Sequence, residues 1–197
     1  MIILASQSAA RRAMLTAAGV AHQAVPAHVD EDGVTAALQM ESASAEHIAD
    51  ALAELKAIKI SRQQPDVLVL GADSVVVAAD GALLAKPETL PRAVAQLRQL
   101  SGSMHRLITA AVVARNGVAV WRAGGAARLT MRPLSDDFIT RYLAAEGEAV
   151  LGCVGCYRIE GLGAQLFSRI DGDQFIIRGL PLLPLLDYLR VAGELDA

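Results

Sequence analysis

Residues 67–78 are dense in valine, alternate only weakly between apolar and polar, and carry a single carboxylate, Asp73, near their middle. An apolar run of this length without helical spacing reads as a strand buried on both faces. Such a strand needs a layer above and a layer below, and in a mixed chain those layers are helices, so the fold expected is α/β or α+β. The length of 197 residues suffices for one core, or two lobes sharing one, and is short for two independent domains. The expectation is therefore a single domain over residues 1–197.

Around that strand the pattern alternates between the two periods. Residues 2–5 predict a short buried strand, and Ser6-Gln7-Ser8 places hydroxyls where a helix over residues 9–18 begins, closing at Gly19. A second strand is expected at residues 23–25, followed by an acidic bend, Asp30-Glu31-Asp32-Gly33. From Ser44 to Arg62, Ile48, Leu52, Leu55, Ala57 and Ile58 define the apolar stripe of a long helix, with Lys56 and Lys59 beside it and Pro65 ending it. Asp80-Gly81 predicts a hairpin turn with a returning strand over residues 82–86, stopped by Pro87. A helix over residues 90–100 comes next. Asn116-Gly117, the strongest hairpin signal in the chain, joins strands at 106–115 and 118–131. Ser135 caps a helix to residue 145, residues 147–163 read as loop, residues 164–170 as strand, and Pro181 opens a last helix to residue 191.

Two groups of residues carry chemistry. A charge inside an apolar strand is placed there only when paired or metal-bound, so Asp73 demands a partner, and a lysine or a divalent cation would serve. Lys86, at the end of the returning strand, is close enough in sequence to face the same site, and Glu31 between Asp30 and Asp32 is a second carboxylate source. A purely structural Asp–Lys pair satisfies the same demand. The second group is Ser6 to Arg12, where free backbone N–H groups, the Ser6 and Ser8 hydroxyls and the Arg11 and Arg12 guanidinium groups suit a phosphate chain. An ordinary helix cap followed by solvated arginines reads equally from that spacing.

Other chemistries are excluded or weak. No G-x-x-x-x-G-K-[ST], G-x-G-x-x-G after a strand, H-E-x-x-H or G-x-S-x-G occurs. Cys153 and Cys156 form a C-x-x-C pair, but with no other cysteine to complete a zinc site the tight-turn reading is favoured over a redox or metal role. The histidines show no ligand spacing, and His105 is expected to shape the site without acting as a base. A net charge of -3 and 4% aromatic residues argue against nucleic acid as a partner. The apolar runs fall far short of the ~18 residues that span a bilayer, so no membrane partner is expected. No export signal is readable, and the expected compartment is the cytoplasm.

In order along almost the whole chain, Leu4-Ala5-Ser6-Gln7-Ser8 with Arg11-Arg12, Val29-Asp30-Glu31, Lys56-Ala57, Gly71-Ala72-Asp73-Ser74, Lys86-Pro87, Ser101-Gly102 with His105 and Thr109, Gly155 to Tyr157, Glu160-Gly161 and Gly179-Leu180-Pro181-Leu182 resemble the Maf family of nucleoside triphosphate pyrophosphatases. The resemblance implies a two-lobed, inosine triphosphatase-like α/β fold with a mixed central sheet, a nucleotide cleft and often a homodimer. It implies hydrolysis between the α- and β-phosphates, giving a nucleoside monophosphate and pyrophosphate, with a divalent cation, magnesium or manganese. Carried over by position, Asp73 resembles the general base, with Glu31, Lys56 and Lys86 as catalytic companions and Glu31 and Asp73 as metal ligands. Ser8, Arg11 and Arg12 resemble the phosphate contacts.

Two subgroups of the family differ at base-facing positions. One, acting on thymidine and uridine triphosphates, has Arg, Thr and Gln there; the other, acting on 7-methylguanosine triphosphate, has Trp, Gln and Glu. This chain has Ala10, Ser74 and Glu160. Glu160 and the spacing of Arg11-Arg12 resemble the second subgroup, Ala10 lacks its stacking ring, and Ser74 is nearer to Thr. The resemblance thus leans to 7-methylguanosine triphosphate-like substrates, with the pyrimidine triphosphates as the alternative. A phosphomonoesterase and a non-catalytic nucleotide-binding regulator of cell division are the competing function classes.

Overall fold

The computed structural model describes residues 1–196. In chain order they form β1 (Ile2–Leu4), α1 (Ala9–Ala17), β2 (His22–Ala24), α2 (Glu31–Met40), α3 (Ala45–Ser61), β3 (Val69–Val77), β4 (Leu83–Leu84) and α4 (Leu90–Leu100). Then follow β5 (Met104–Arg115), β6 (Val118–Met131), α5 (Asp136–Glu146), two 3-10 turns (Gly147–Gly152 and Leu162–Leu166), β7 (Phe167–Asp171), α6 (Gln174–Ile177) and α7 (Leu182–Val191). One mixed seven-stranded sheet runs β2-β1-β3-β5-β6-β7, with β4 on β3. β1 is parallel to both β2 and β3, whereas β4 pairs antiparallel with β3 and β7 with β6. Of the two classes that the buried strand left open, α/β is the one observed, as the resemblance implied.

Local chemistry explains most element starts. Ser8, Asp30, Ser44, Thr89 and Ser135 each turn a side-chain oxygen onto a backbone N–H of the first turn they precede. That satisfies a donor the helix itself cannot. At the β5–β6 turn Asn116 and Gly117 both have positive φ, 52° and 77°, the geometry a two-residue turn between twisted strands requires.

Two compact units divide the chain. The first comprises residues 1–74, 108–125 and the segment from 179 onward; the second comprises 75–107 and 126–178. A cluster of Ile3, Ala5, Ala27, Ile60 and Val69 lies in the core of the first. The second is built around Val76, Leu97, Leu100, Leu129, Met131, Ile139, Tyr142 and Leu166. Within the first unit β3 and α3 lie unusually close. A Cβ at Gly71 would stand 2.1 Å from the Ala53 carbonyl oxygen and 2.7 Å from the Ala57 nitrogen, so only glycine permits this approach. No helix among the described residues is long and apolar enough to cross a membrane.

Four expectations are corrected. Residues 30–33 are not a bend: Asp30 caps α2 and Glu31 opens it, because the Asp30 side chain accepts the Gly33 N–H at 2.9 Å. Residues 164–166 belong to a 3-10 turn rather than a strand, and β7 starts only at Phe167. The returning strand shrinks from residues 82–86 to Leu83–Leu84. Pro181 precedes α7 as its cap instead of occupying its first turn, and the short helix α6 had no periodicity by which to read it.

Candidate functional site

Asp73 lies in the middle of β3 with its side chain 10% exposed. The partner its burial demands comes from α3: Lys56 Nζ stands 2.5 Å from Asp73 Oδ1. The same ammonium lies 2.6 Å from Glu31 Oε1, in the first turn of α2, so two carboxylates converge on one lysine that is itself only 7% exposed. The close α3–β3 approach at Gly71 makes this possible, since Lys56 sits on the helix between Ala53 and Ala57, the two residues nearest Gly71. One turn along α3, Lys59 Nζ donates to the His28 carbonyl at 2.5 Å. His28 has φ +46°, a left-handed backbone, and the bond holds the segment leading to Glu31. The sequence marks Lys59 only as a flank of the apolar stripe.

Two carboxylates meeting at one ammonium bring together oxygen donors of the kind that a hard divalent cation takes. Among the described residues no group of three or more His, Cys, Asp and Glu converges. The residues present therefore fit a cation held by two carboxylates and completed by water and substrate oxygens, as magnesium commonly is.

Successive side chains of a strand point to opposite faces, so Ser74 serves a different partner from Asp73. Its hydroxyl lies 2.7 Å from Thr109 Oγ1 on β5 and accepts from Arg11 Nη2 at 3.2 Å. Arg11 also donates from Nη1 to Ser6 Oγ at 3.2 Å and from Nε to the Gly179 carbonyl at 2.8 Å. One guanidinium thus ties the turn after β1, the strand β3 and the segment before α7. Ser8 Oγ accepts the Arg11 N–H at 3.3 Å as the helix cap, and Arg12 is exposed. The structure brings Glu31, Lys56 and Asp73 into one cluster and Ser6, Ser8, Arg11 and Ser74 into another.

Lys86 and Glu160 belong to the second unit, and both are exposed. Burial first, then the Glu160 charge, pushes the Cys153 thiol up, with Glu146 acting in the same direction and Arg158 and Lys86 opposing. Gln96, which the sequence did not mark, connects the neighbouring segments. Its Nε2 donates to the Ala85 carbonyl at 2.9 Å, while its Oε1 accepts the Gly155 N–H at 2.9 Å and the Cys156 thiol at 3.0 Å. Both cysteines are free, and the Cys156 N–H closes a turn on the Cys153 carbonyl at 3.1 Å. Burial, and secondarily Cys153, pushes the Cys156 thiol up to about 12, an inert rather than a nucleophilic sulfur. His105 is 1% exposed, its pKa is lowered to about 4 by burial, and its Nε2 meets Tyr157 Oη at 3.0 Å. A neutral, buried imidazole packs this unit.

Comparison with protein-family models matches residues 1–192 to the family described as Maf-like protein. A nucleoside triphosphate pyrophosphatase of Sphingopyxis alaskensis is 52% identical over 98% of this chain and 97% of its own. One of the same name from Granulibacter bethesdensis is 51% identical over 96% of this chain and 95% of its own. A 7-methyl-GTP pyrophosphatase of Rhizobium meliloti is 47% identical over 100% of this chain and 98% of its own.

Proposed function

The chain belongs to the Maf-like protein family, and from that premise we propose that it is a nucleoside triphosphate pyrophosphatase whose chemistry centres on Asp73, Lys56 and Glu31. The observation that carries the reading is the convergence of both buried-site carboxylates on the Lys56 ammonium. Water attacks the α-phosphorus; its oxygen forms the new P–O bond as the bond to the bridging oxygen breaks, and a nucleoside monophosphate and pyrophosphate leave. Asp73 takes the proton of the attacking water. Lys56, fixed between two carboxylates, holds Asp73 oriented for that transfer. Glu31 and Asp73 would hold the divalent cation, magnesium or manganese, which when bound neutralises phosphate charge. Arg12 and the free N–H groups at the start of α1 bind the phosphate chain, with Ser8 setting that helix start and Arg11 holding the surrounding segments in place. Lys86, on the strength of the resemblance, adds positive charge for the phosphates.

Glu160 reads the base. An ionised carboxylate only accepts, so it suits the paired N–H donors on the N1/N2 edge of guanine and opposes the two carbonyls that flank the single donor of thymine. A guanine-like or 7-methylguanine-like triphosphate is therefore the preferred substrate, and Ala10 leaves room for it without stacking on it. The name borne by the Rhizobium relative agrees with this preference. The same reading takes the enzyme to be cytoplasmic and to act on a free nucleotide, and a homodimer, as members of the family often form, is the assembly to test.

Product analysis over a panel of ordinary and methylated triphosphates with magnesium or manganese tests the reaction. Pyrophosphate is the expected product; inorganic phosphate would mean a phosphomonoesterase, and no product a binding protein. Asp73→Asn is expected to abolish turnover with the fold retained, and an Asn variant with near wild-type kcat refutes the base assignment. Thymidine triphosphate as the best substrate, or an unchanged ranking in Glu160→Gln, refutes the base preference and favours the pyrimidine reading.

A further inference from the structure

Glu146, the last residue of α5, has a side chain only 5% exposed, and both of its carboxylate oxygens are directed at one loop. Oε1 accepts the Leu162 N–H at 2.9 Å, and Oε2 accepts from Arg158 Nη1 at 3.1 Å. These two anchor points straddle Glu160, two residues before it and two after. The loop closes tightly between them: the Gly161 N–H donates to the Arg158 carbonyl at 3.0 Å, and a Cβ on Gly161 would stand 2.9 Å from Glu146 Oε1. Arg158 faces both carboxylates, since its Nε lies 3.7 Å from Glu160 Oε1. A buried glutamate therefore holds an arginine, and that arginine lies against the partly exposed carboxylate of Glu160, to which the base preference is assigned.

The Glu160 side chain is still 27% exposed, and a long side chain so placed keeps several rotamers, so that ordering it on a ligand costs free energy unless a neighbour has already narrowed the choice. A neutral hydrogen-bond acceptor would satisfy the Leu162 N–H as well as Glu146 does. What needs a charge at Glu146 is the guanidinium, and what the guanidinium reaches is Glu160. We propose that Glu146 and Arg158 are positioning residues for base selection, holding Glu160 in the orientation in which it receives a guanine-type edge. The proposal rests on the assignment of Glu160 to the base and names the residues that make it selective.

The test uses the full chain and compares kcat and KM for guanosine, 7-methylguanosine, uridine and thymidine triphosphates in the wild type and in Arg158→Gln, Arg158→Lys, Glu146→Gln, Glu160→Gln and the Arg158→Gln/Glu160→Gln double variant. Arg158 carries a side chain 37% exposed, so its replacement leaves the core untouched. Arg158→Gln and Glu146→Gln are expected to lower the purine-over-pyrimidine preference by about tenfold, through KM for the purine substrates with kcat within about twofold. In the Glu160→Gln background the Arg158 change is expected to have no further effect on preference, and Arg158→Lys to restore part of it. A ranking that responds to Glu160→Gln but stays unchanged in both Arg158→Gln and Glu146→Gln overturns this proposal and leaves the Glu160 assignment standing. Equal losses of kcat on all substrates, with the preference kept, reduce the pair to a structural clasp and overturn it also. A ranking indifferent to Glu160→Gln itself overturns the base assignment, and the positioning proposal falls with it.

Discussion

Replacing Lys56 by Met keeps the length and apolar body of the side chain and removes only the ammonium at the centre of the carboxylate cluster. The two carboxylates then respond differently. Glu31, 34% exposed, is already partly solvated and contributes little once solvent screening is counted. Asp73, 10% exposed and inside a strand, loses the cation 2.5 Å away and stays where water is scarce. Breaking a buried pair by removing one partner costs ~3 kcal/mol or more, so Lys56→Met should lose about that, most of it at Asp73. In a chain of this size that lowers Tm by about 10 °C. The reverse deletion is milder: Asp73→Asn leaves Lys56 with Glu31 at 2.6 Å, and the expected cost is ~1 kcal/mol. The double variant removes the uncompensated charge and should be more stable than Lys56→Met alone by ~1 to 2 kcal/mol. Urea unfolding followed by circular dichroism on all four proteins measures the cycle. A Lys56→Met protein as stable as the wild type, or a double variant that loses the sum of the two single costs, refutes the reasoning.

His105 predicts an acid-sensitive fold. With its pKa lowered to about 4 by burial, against 6.5 in the unfolded chain, only the unfolded state takes up a proton between those values. This contribution to stability is whole above pH 6.5, falls as the pH drops, and has lost about 3 kcal/mol near pH 4, where the folded imidazole protonates as well. His105→Gln should lack this step, and an imidazole NMR titration of the folded wild type with its midpoint near 6.5 contradicts it. Arg11 and Arg12 should separate: Arg11→Ala loses bonds to Gly179, Ser6 and Ser74 and is expected to cost ~2 kcal/mol of stability, whereas exposed Arg12→Ala should keep stability and raise KM for triphosphates several-fold. Equal stabilities by urea unfolding argue against the Arg11 node. Gly71→Ala drives a methyl group into the α3 backbone and should cost ~3 kcal/mol or more together with activity; a stable, active variant means that α3 does not lie this close to β3.

Local chemistry made much of this protein legible without a structure. The valine-rich run with its lone carboxylate defined a strand buried on both faces and marked Asp73 as needing a partner, because both inferences depend on what neighbouring residues do to one another. Helix caps and the Asn-Gly turn are likewise properties of a few adjacent residues, which is why α4 and β6 fall where their spacing put them. Ordered motifs along the chain carried the family. Tertiary packing decided which partners meet. Asp73 found Lys56 on a helix earlier in the chain because Gly71 let that helix come close, a distance no periodicity encodes. Arg11, legible as a phosphate ligand from its place after a cap, also spans to a carbonyl 168 residues away, a bond that no local spacing encodes. Glu146 and Arg158 carried no motif at all, since a buried carboxylate at a helix end acquires meaning only from the loop folded over it. Residue type and short spacing determine which groups require partners, and the packing of backbones remote in sequence selects them.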